Sequence, residues 1–302
     1  MRGTLVIGLL LAVLALAAAP ASADPAPGAY PYIPWTELLP PGASSTAYQP
    51  GPEPNCDGPA TMACMDGVID RLRAHRDAWG CNHRAVFSDT YALLSEQLKK
   101  SIEDPGFFGD DDYLIYEAVA FENYYEDMVA KSTSGKPYPE AWRIANQVAS
   151  QPNSNAAVDM LLGINAHVQR DMPYVVAAQG LRTPAGETRK PDHDAVNKVL
   201  AAAYEPIVED IAGRYDPIVS LTNSKWTPID DVGGLEVVKE WREGVWRHAE
   251  QLENAKTDAE RKQVSDQIEA NAAAWARMIS VGAIQPGYGA TRDAYCQKQL
   301  QQ

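Results

Sequence analysis

From Thr61 to Ser280 the apolar residues recur three and four positions apart, and no stretch alternates apolar with polar at a period of two. That spacing matches the turn of an α-helix rather than the pleat of a strand, and no strand–helix alternation or internal repeat is visible. The expected fold is therefore all-α. Met62, Met65, Val68, Ile69 and Leu72 carry the first stripe, predicted over Thr61–Trp79 with Gly80 as its stop. Further helices are predicted from Asn82 to Ile102, from Tyr113 to Lys131 with the acids at 110–112 as its cap, and from Pro139 to Ala149. Others follow at Ser154–Gly180, from Pro191 past Ile211 with Pro206 bending it, at Leu235–Asn254 and at Thr257–Ser280. The stretch from Tyr215 to Gly234 reads as a long irregular loop, of a length suited to a lid or the wall of a site. Residues 60–302 are expected to form one multi-helix bundle.

What precedes the bundle has another character. MRGTLVIGLLLAVLALAAAPASA pairs one arginine with an apolar run and a small-residue cleavage signature, so residues 1–23 read as a signal peptide. Its apolar run is shorter than the about 20 residues of a membrane span, and no later stretch approaches that length, so the expected product is soluble and secreted, without stable membrane insertion. Residues 24–59, rich in Pro, Gly and Ala, read as an extended arm whose Tyr30, Tyr32, Ile33 and Trp35 could dock on the bundle. The formal net charge is −14, and loss of Arg2 with the leader lowers it by one more unit. Such a field disfavours nucleic acid and anionic membrane as general partners.

Four cysteines in an exported chain imply two disulfides. If residues 62–79 are one helix, Cys64 and Cys81 stand about 25 Å apart, beyond the roughly 7 Å reach of a bridge. Cys56 meets the same obstacle in reaching Cys81. The expected pairs are Cys56–Cys64 and Cys81–Cys296, the second fastening the C-terminal tail to the start of the bundle.

The chemistry concentrates in SNAAVDMLLGINAHVQRDMPYVVAAQG, residues 154–180. On a helix, Asp159, Gly163, His167 and Asp171 lie at successive i, i+4 steps, with Gly163 leaving room beside the histidine. Pro173 should kink the helix just after Asp171 and free the carbonyl of Gln169. His167 and Asp171 could share a metal, or the carboxylate could orient the imidazole for proton transfer. Asp192, His193, Asp194 and Asn197 at the next helix start form a second polar cluster, although capping alone accounts for Asp192. His75, His83 and His248 read as satisfied structural histidines. No GxSxG elbow, Walker loop, dinucleotide glycine fingerprint or HExxH is present.

LLGINAHVQRDMPYVVAA, RKPDHDAVNKVLAAAYEPIV, GCNHRAVFSDTY and EVVKEWREGVWRHAE together resemble an actinobacterial secreted family catalogued as a domain of unknown function. The resemblance implies interest in Asn165, His167, Asp171, Asp192, His193 and Asn197, the positions that carry it. A fainter likeness is to the helical zinc-dependent phospholipases C and single-strand nucleases. His167 and Asp171 fit that group's His-x-x-x-Asp spacing, but a second His-x-x-x-Glu helix is missing. Three expectations follow. The first is a metal-assisted hydrolase with His167, Asp171 and His193 at the reacting centre, with Asn165, Asp192 and Asn197 binding and a divalent metal as cofactor. The second is a binding protein that encloses a small apolar or lipid-like molecule between the aromatic helix Tyr113–Tyr125 and the loop around Trp226. The third is an extracellular interaction protein that uses the arm. Oligomeric state is not legible.

Overall fold

The computed structural model describes residues 61–151, 153–222, 228–281 and 287–301. The expected leader, the arm, Cys56 and Trp226 lie outside them. The described residues are helical almost throughout, with no strand beyond one isolated bridge between Arg182 and Thr188.

Helices α1 (Met62–Trp79) and α2 (Arg84–Ile102) form an antiparallel pair, turned at Gly80, whose positive φ of 54° suits a residue without a Cβ. Helix α3 (Asp111–Thr133) starts where predicted, because the Asp110 carboxylate accepts the Tyr113 amide at 3.0 Å and so satisfies a free first-turn N–H. Helix α4 (Glu140–Ala149) leads into the centre of the molecule.

That centre is one rod in three parts: α5 (Ala156–Asn165), a π-helical turn (Ala166–Asp171) and α6 (Met172–Gln179). The sequence predicts a kink at Pro173. The structure instead widens the helix just before it, the Met172 amide donating to the His167 carbonyl five residues back. The extra residue is absorbed there, and Pro173 falls in the first turn of α6, where a missing N–H leaves no bond broken.

Helices α7 (Lys190–Arg214), α8 (Val219–Thr222), α9 (Pro228–Asn254), α10 (Asp258–Val281) and α11 (Tyr288–Gln299) complete the body. Pro206 sits inside α7 on its exposed side, so the Ala202 carbonyl it deprives faces water. Helix α10 opens on a capping box, the Glu260 amide donating to Thr257 Oγ1 and the Thr257 amide to Glu260 Oε2, both at 3.1 Å. The rod is wrapped by α2, α3, α4, α9 and α10.

Two expectations about loops need correction. The irregular stretch from Tyr215 to Gly234 is largely helical, since α8 falls within it and α9 already begins at Pro228. Proline at the first position with acids at 230 and 231 is a helix-start signal that outweighs the glycine pair at 233 and 234. The C-terminal tail is helix α11. It is fastened as predicted, Cys81 to Cys296 with Cα atoms 5.7 Å apart, whereas the expected Cys56–Cys64 bridge has one half outside the described residues. Among the described residues no helix is long and apolar enough to cross a membrane.

Candidate functional site

Gly163 does leave room, but for Phe87 of α2: a Cβ added there would meet the Phe87 ring at 2.3 and 2.7 Å. The ring wedged against the rod then packs edge-on to His167, with centroids 5.6 Å apart. Phe121 covers the opposite side of the imidazole, stacked at 3.5 Å and 6°, and Tyr91 stands at 4.8 Å. His167 is thus held in an aromatic cage built by α2, α3 and α4. Burial lowers its pKa below the ordinary imidazole value, although the Asp171 carboxylate works the other way.

Asp171 Oδ2 lies 2.9 Å from His167 Nδ1 and accepts the Trp142 indole N–H at 2.8 Å. Its Oδ1 accepts from Arg170, which in turn binds Glu269 of α10 at 2.7 Å. The carboxylate is fully engaged by protein donors. The predicted i, i+4 stripe divides here: Asp159 turns instead to His83 Nδ1 at 2.6 Å and Ser154 Oγ at 2.7 Å, beside the Cys81–Cys296 bridge.

Asn165, wholly buried, donates to the Ala272 carbonyl of α10 and accepts from Gln169, so it pins the rod to its neighbour. Asp192 accepts the Gly109 amide at 2.7 Å and fixes the loop between α2 and α3. His193, also wholly buried, has Nε2 3.0 Å from the Arg242 carbonyl, and burial together with the Arg242 charge holds its pKa well below normal. Asn197 Oδ1 accepts Arg242 Nε at 3.0 Å.

The two polar clusters therefore do not bond to each other. They are joined through one side chain that sequence reasoning passed over. Arg242 of α9, 4 % exposed, donates to the His193 carbonyl at 2.5 Å and to Asn197, and its Nη1 rests on the Met172 sulfur at 3.4 Å, directly beyond Asp171. Burial lowers its pKa, opposed chiefly by the charge of Glu117.

Arg242, His167 and Tyr91 share the wall of a cavity of about 350 Å³ lined by α1, α2, α3, the rod, α7 and α9. Most of that wall is aliphatic, from Leu94, Leu161, Ile164, Val199, Ile207 and Val238 among others. Two carboxyls also reach it, Glu117 and Glu122. Glu122 is matched by Arg71 through two bonds of 2.8 Å. Glu117 is 4 % exposed and its Oε2 has no partner at hydrogen-bond geometry; the Tyr113 hydroxyl, equally unpartnered, is near enough to act on it. Burial raises the Glu117 pKa, and Arg242 pulls it back. Asp171 and His193 lie behind the wall rather than in it.

The donor set does not fit the divalent metal expected from the His-x-x-x-Asp spacing. Asp171 is saturated, His193 faces α9, and among the described residues no group of three or more His, Cys, Asp or Glu converges as ligands.

The family model described as "Family of unknown function (DUF5995)" matches residues 65–281. The chain belongs to this family. No curated protein and no solved structure matches it. The matched segment contains every residue that lines the cavity, whereas α11 and its bridging Cys296 fall beyond it.

Glu117 could have been found in the sequence. Tyr113, Glu117, Phe121 and Tyr125 are an i, i+4 series, so a carboxylate sits in the middle of the aromatic face of that helix. Arg242 gave a weaker signal, a cation beside Trp241 at the edge of an apolar stripe.

Proposed function

We propose that this protein binds a small, mainly apolar molecule inside the helical body. The observation that carries the reading is the cavity itself. Its about 350 Å³ falls within the range of small-molecule sites, roughly 300–1,000 Å³. Native interiors otherwise close such space, because each unfilled void forfeits contacts on its lining. Leu161, Ile164 and Val238, all on its wall, keep part of their surface uncovered. An apolar guest would cover that surface and gain about 25 cal/mol for each Å² removed from water.

The rigid side of the site is the rod with its aromatic cage. The other side is α7 and α9, whose Leu200, Tyr204 and Leu235 line the cavity. His167 then acts as part of the wall, held neutral by burial and oriented by Asp171.

Fluorescence of N-phenylnaphthylamine, a neutral apolar dye, tests the reading. Saturable enhancement on the wild-type protein, lost in Ala118→Phe, which puts a ring into the cavity from α3, supports it. Equal enhancement in the variant, or none in the wild type, refutes it.

A second reading is favoured by one contact. The Asp171 bond to His167 Nδ1, with the imidazole on the cavity wall, is the arrangement of an oriented base, so His167 could take a proton from the bound molecule. His167→Gln that keeps dye binding but loses turnover of a bound compound would support it.

A further inference from the structure

The cavity is not uniformly apolar. Its wall includes Glu117 from α3, Arg242 from α9, Tyr91 from α2 and His167 from the rod, grouped by the 4.8 Å contact of Tyr91 with His167 and by the action of the Arg242 charge on both Tyr91 and Glu117; the hydrogen-bonding capacity at this pole is unbalanced. Glu117 is 96 % covered, yet its Oε2 has no donor at hydrogen-bond geometry and no ion pair among the described residues; the neighbouring Tyr113 hydroxyl, itself without a partner, is the one protein hydroxyl that bears on it. A buried acceptor left unmatched costs about 1–3 kcal/mol, more when charged, and native proteins rarely retain one without a use. Opposite it, Arg242 spends Nε on Asn197 and Nη2 on the His193 carbonyl, while Nη1 meets only the Met172 thioether, a weak acceptor. The pole thus offers one unused strong acceptor and one under-used strong donor on the same cavity.

Resting on the reading of the cavity as an apolar site, we infer that its ligand carries a neutral hydroxyl at one end, which donates to Glu117 Oε2 and accepts from Arg242 Nη1. A hydroxyl is the smallest group with both capacities on one atom. The charges support the same choice. Arg242 and Glu117 act on each other across the pole with opposite signs, so the protein already balances itself there. A carboxylate head would face Glu117 and an ammonium head would face Arg242, each bringing a further charge into a mainly apolar site at a desolvation cost. An ether keeps the acceptor but cannot donate, and Glu117 would stay unmatched. The second carboxyl on the wall makes no such demand, since Arg71 already occupies both its oxygens. The class is therefore an alcohol on an aliphatic or alicyclic body, with the remaining cavity, around Leu94, Ile207 and Val208, accepting the hydrocarbon.

Competition against N-phenylnaphthylamine on the full-length wild-type protein tests this with four matched probes: decanol, decyl methyl ether, decanoate and decylamine. The expected order places decanol ahead of the ether by at least about tenfold, the equivalent of one hydrogen bond to a charged group, with both ionic probes weaker than the alcohol. Glu117→Met, which keeps the side-chain length without the acceptor, should bring decanol and ether within about twofold while leaving the ether unchanged. If that variant does not fold, the wild-type order decides alone. Equal binding of decanol and ether, or preference for decanoate or decylamine, overturns the hydroxyl assignment while leaving the apolar cavity standing. Displacement by none of the four, with no dye binding in the wild type, overturns both.

Discussion

Replacing Gly163 with alanine is the sharpest test of how the aromatic cage is built. In an ordinary exposed helix the change would stabilise by about 1 kcal/mol, because glycine has more backbone freedom to lose. Here the added Cβ would fall 2.3 Å from Phe87 Cδ2, 2.7 Å from Cγ and 3.0 Å from Cβ. A flip of the ring cannot relieve contacts at its root, so Phe87 must move by about 1 Å to reach ordinary van der Waals separation. It has nowhere to go: Tyr91, Tyr125 and Trp142 hold its ring at centroid distances of 4.5, 4.9 and 5.0 Å, with His167 behind. Overpacking of this kind costs typically about 1–3 kcal/mol and occasionally more, and a root-level clash in a closed cage belongs at the upper end. Net of the propensity gain, Gly163→Ala is expected to lose about 2 kcal/mol, a fall in Tm of roughly 4–8 °C for a body of this size. Urea unfolding followed by tryptophan fluorescence measures it. Adding Phe87→Leu should then show coupling, the double variant being less destabilised than the sum of the two single ones. A Gly163→Ala protein as stable as wild type, or more so, would falsify the claim that the glycine exists to admit Phe87.

Two other consequences can be checked directly. Removing the Cys81–Cys296 bridge by a double change to serine opens a loop of 215 residues. On a chain-entropy account this costs up to about 5 kcal/mol, and a loss under about 1 kcal/mol in denaturant titration would show that α11 is held by packing alone. Burial lowers the His248 pKa to about 4. Because the unfolded imidazole titrates near 6.5, stability from keeping His248 neutral is complete above that value and is lost as pH falls toward 4. The stability of wild type relative to His248→Gln should therefore decline by about 3 kcal/mol between about pH 7 and pH 4; a flat difference contradicts the burial argument.

The helical class, the positions of α1 to α7 and α10, the Asp110 cap and the Cys81–Cys296 pair were legible in the residue order, because each depends on spacing within a turn or on the reach of a bridge. The start of α9 at Pro228 was legible in kind, in a proline followed by acids at 230 and 231, although the stretch reads as an irregular loop. Other features were not local. His167 and Asp171 do meet, as their i, i+4 spacing required, but the same stripe loses Asp159 to His83, a partner 76 positions away. Nor does spacing tell that the room beside Gly163 belongs to a ring from another helix.

By itself, then, the sequence determined which segments coil and which neighbours within a segment share a face, since those follow from the 3.6-residue turn and the chemistry of caps and prolines. The tertiary structure decided that the His167 and His193 clusters stand apart with Arg242 between them, and that Glu117 ends on a cavity wall instead of in closed core. Whether a face is filled or left open depends on how helices from six distant parts of the chain meet. No periodicity within any one of them carries that information.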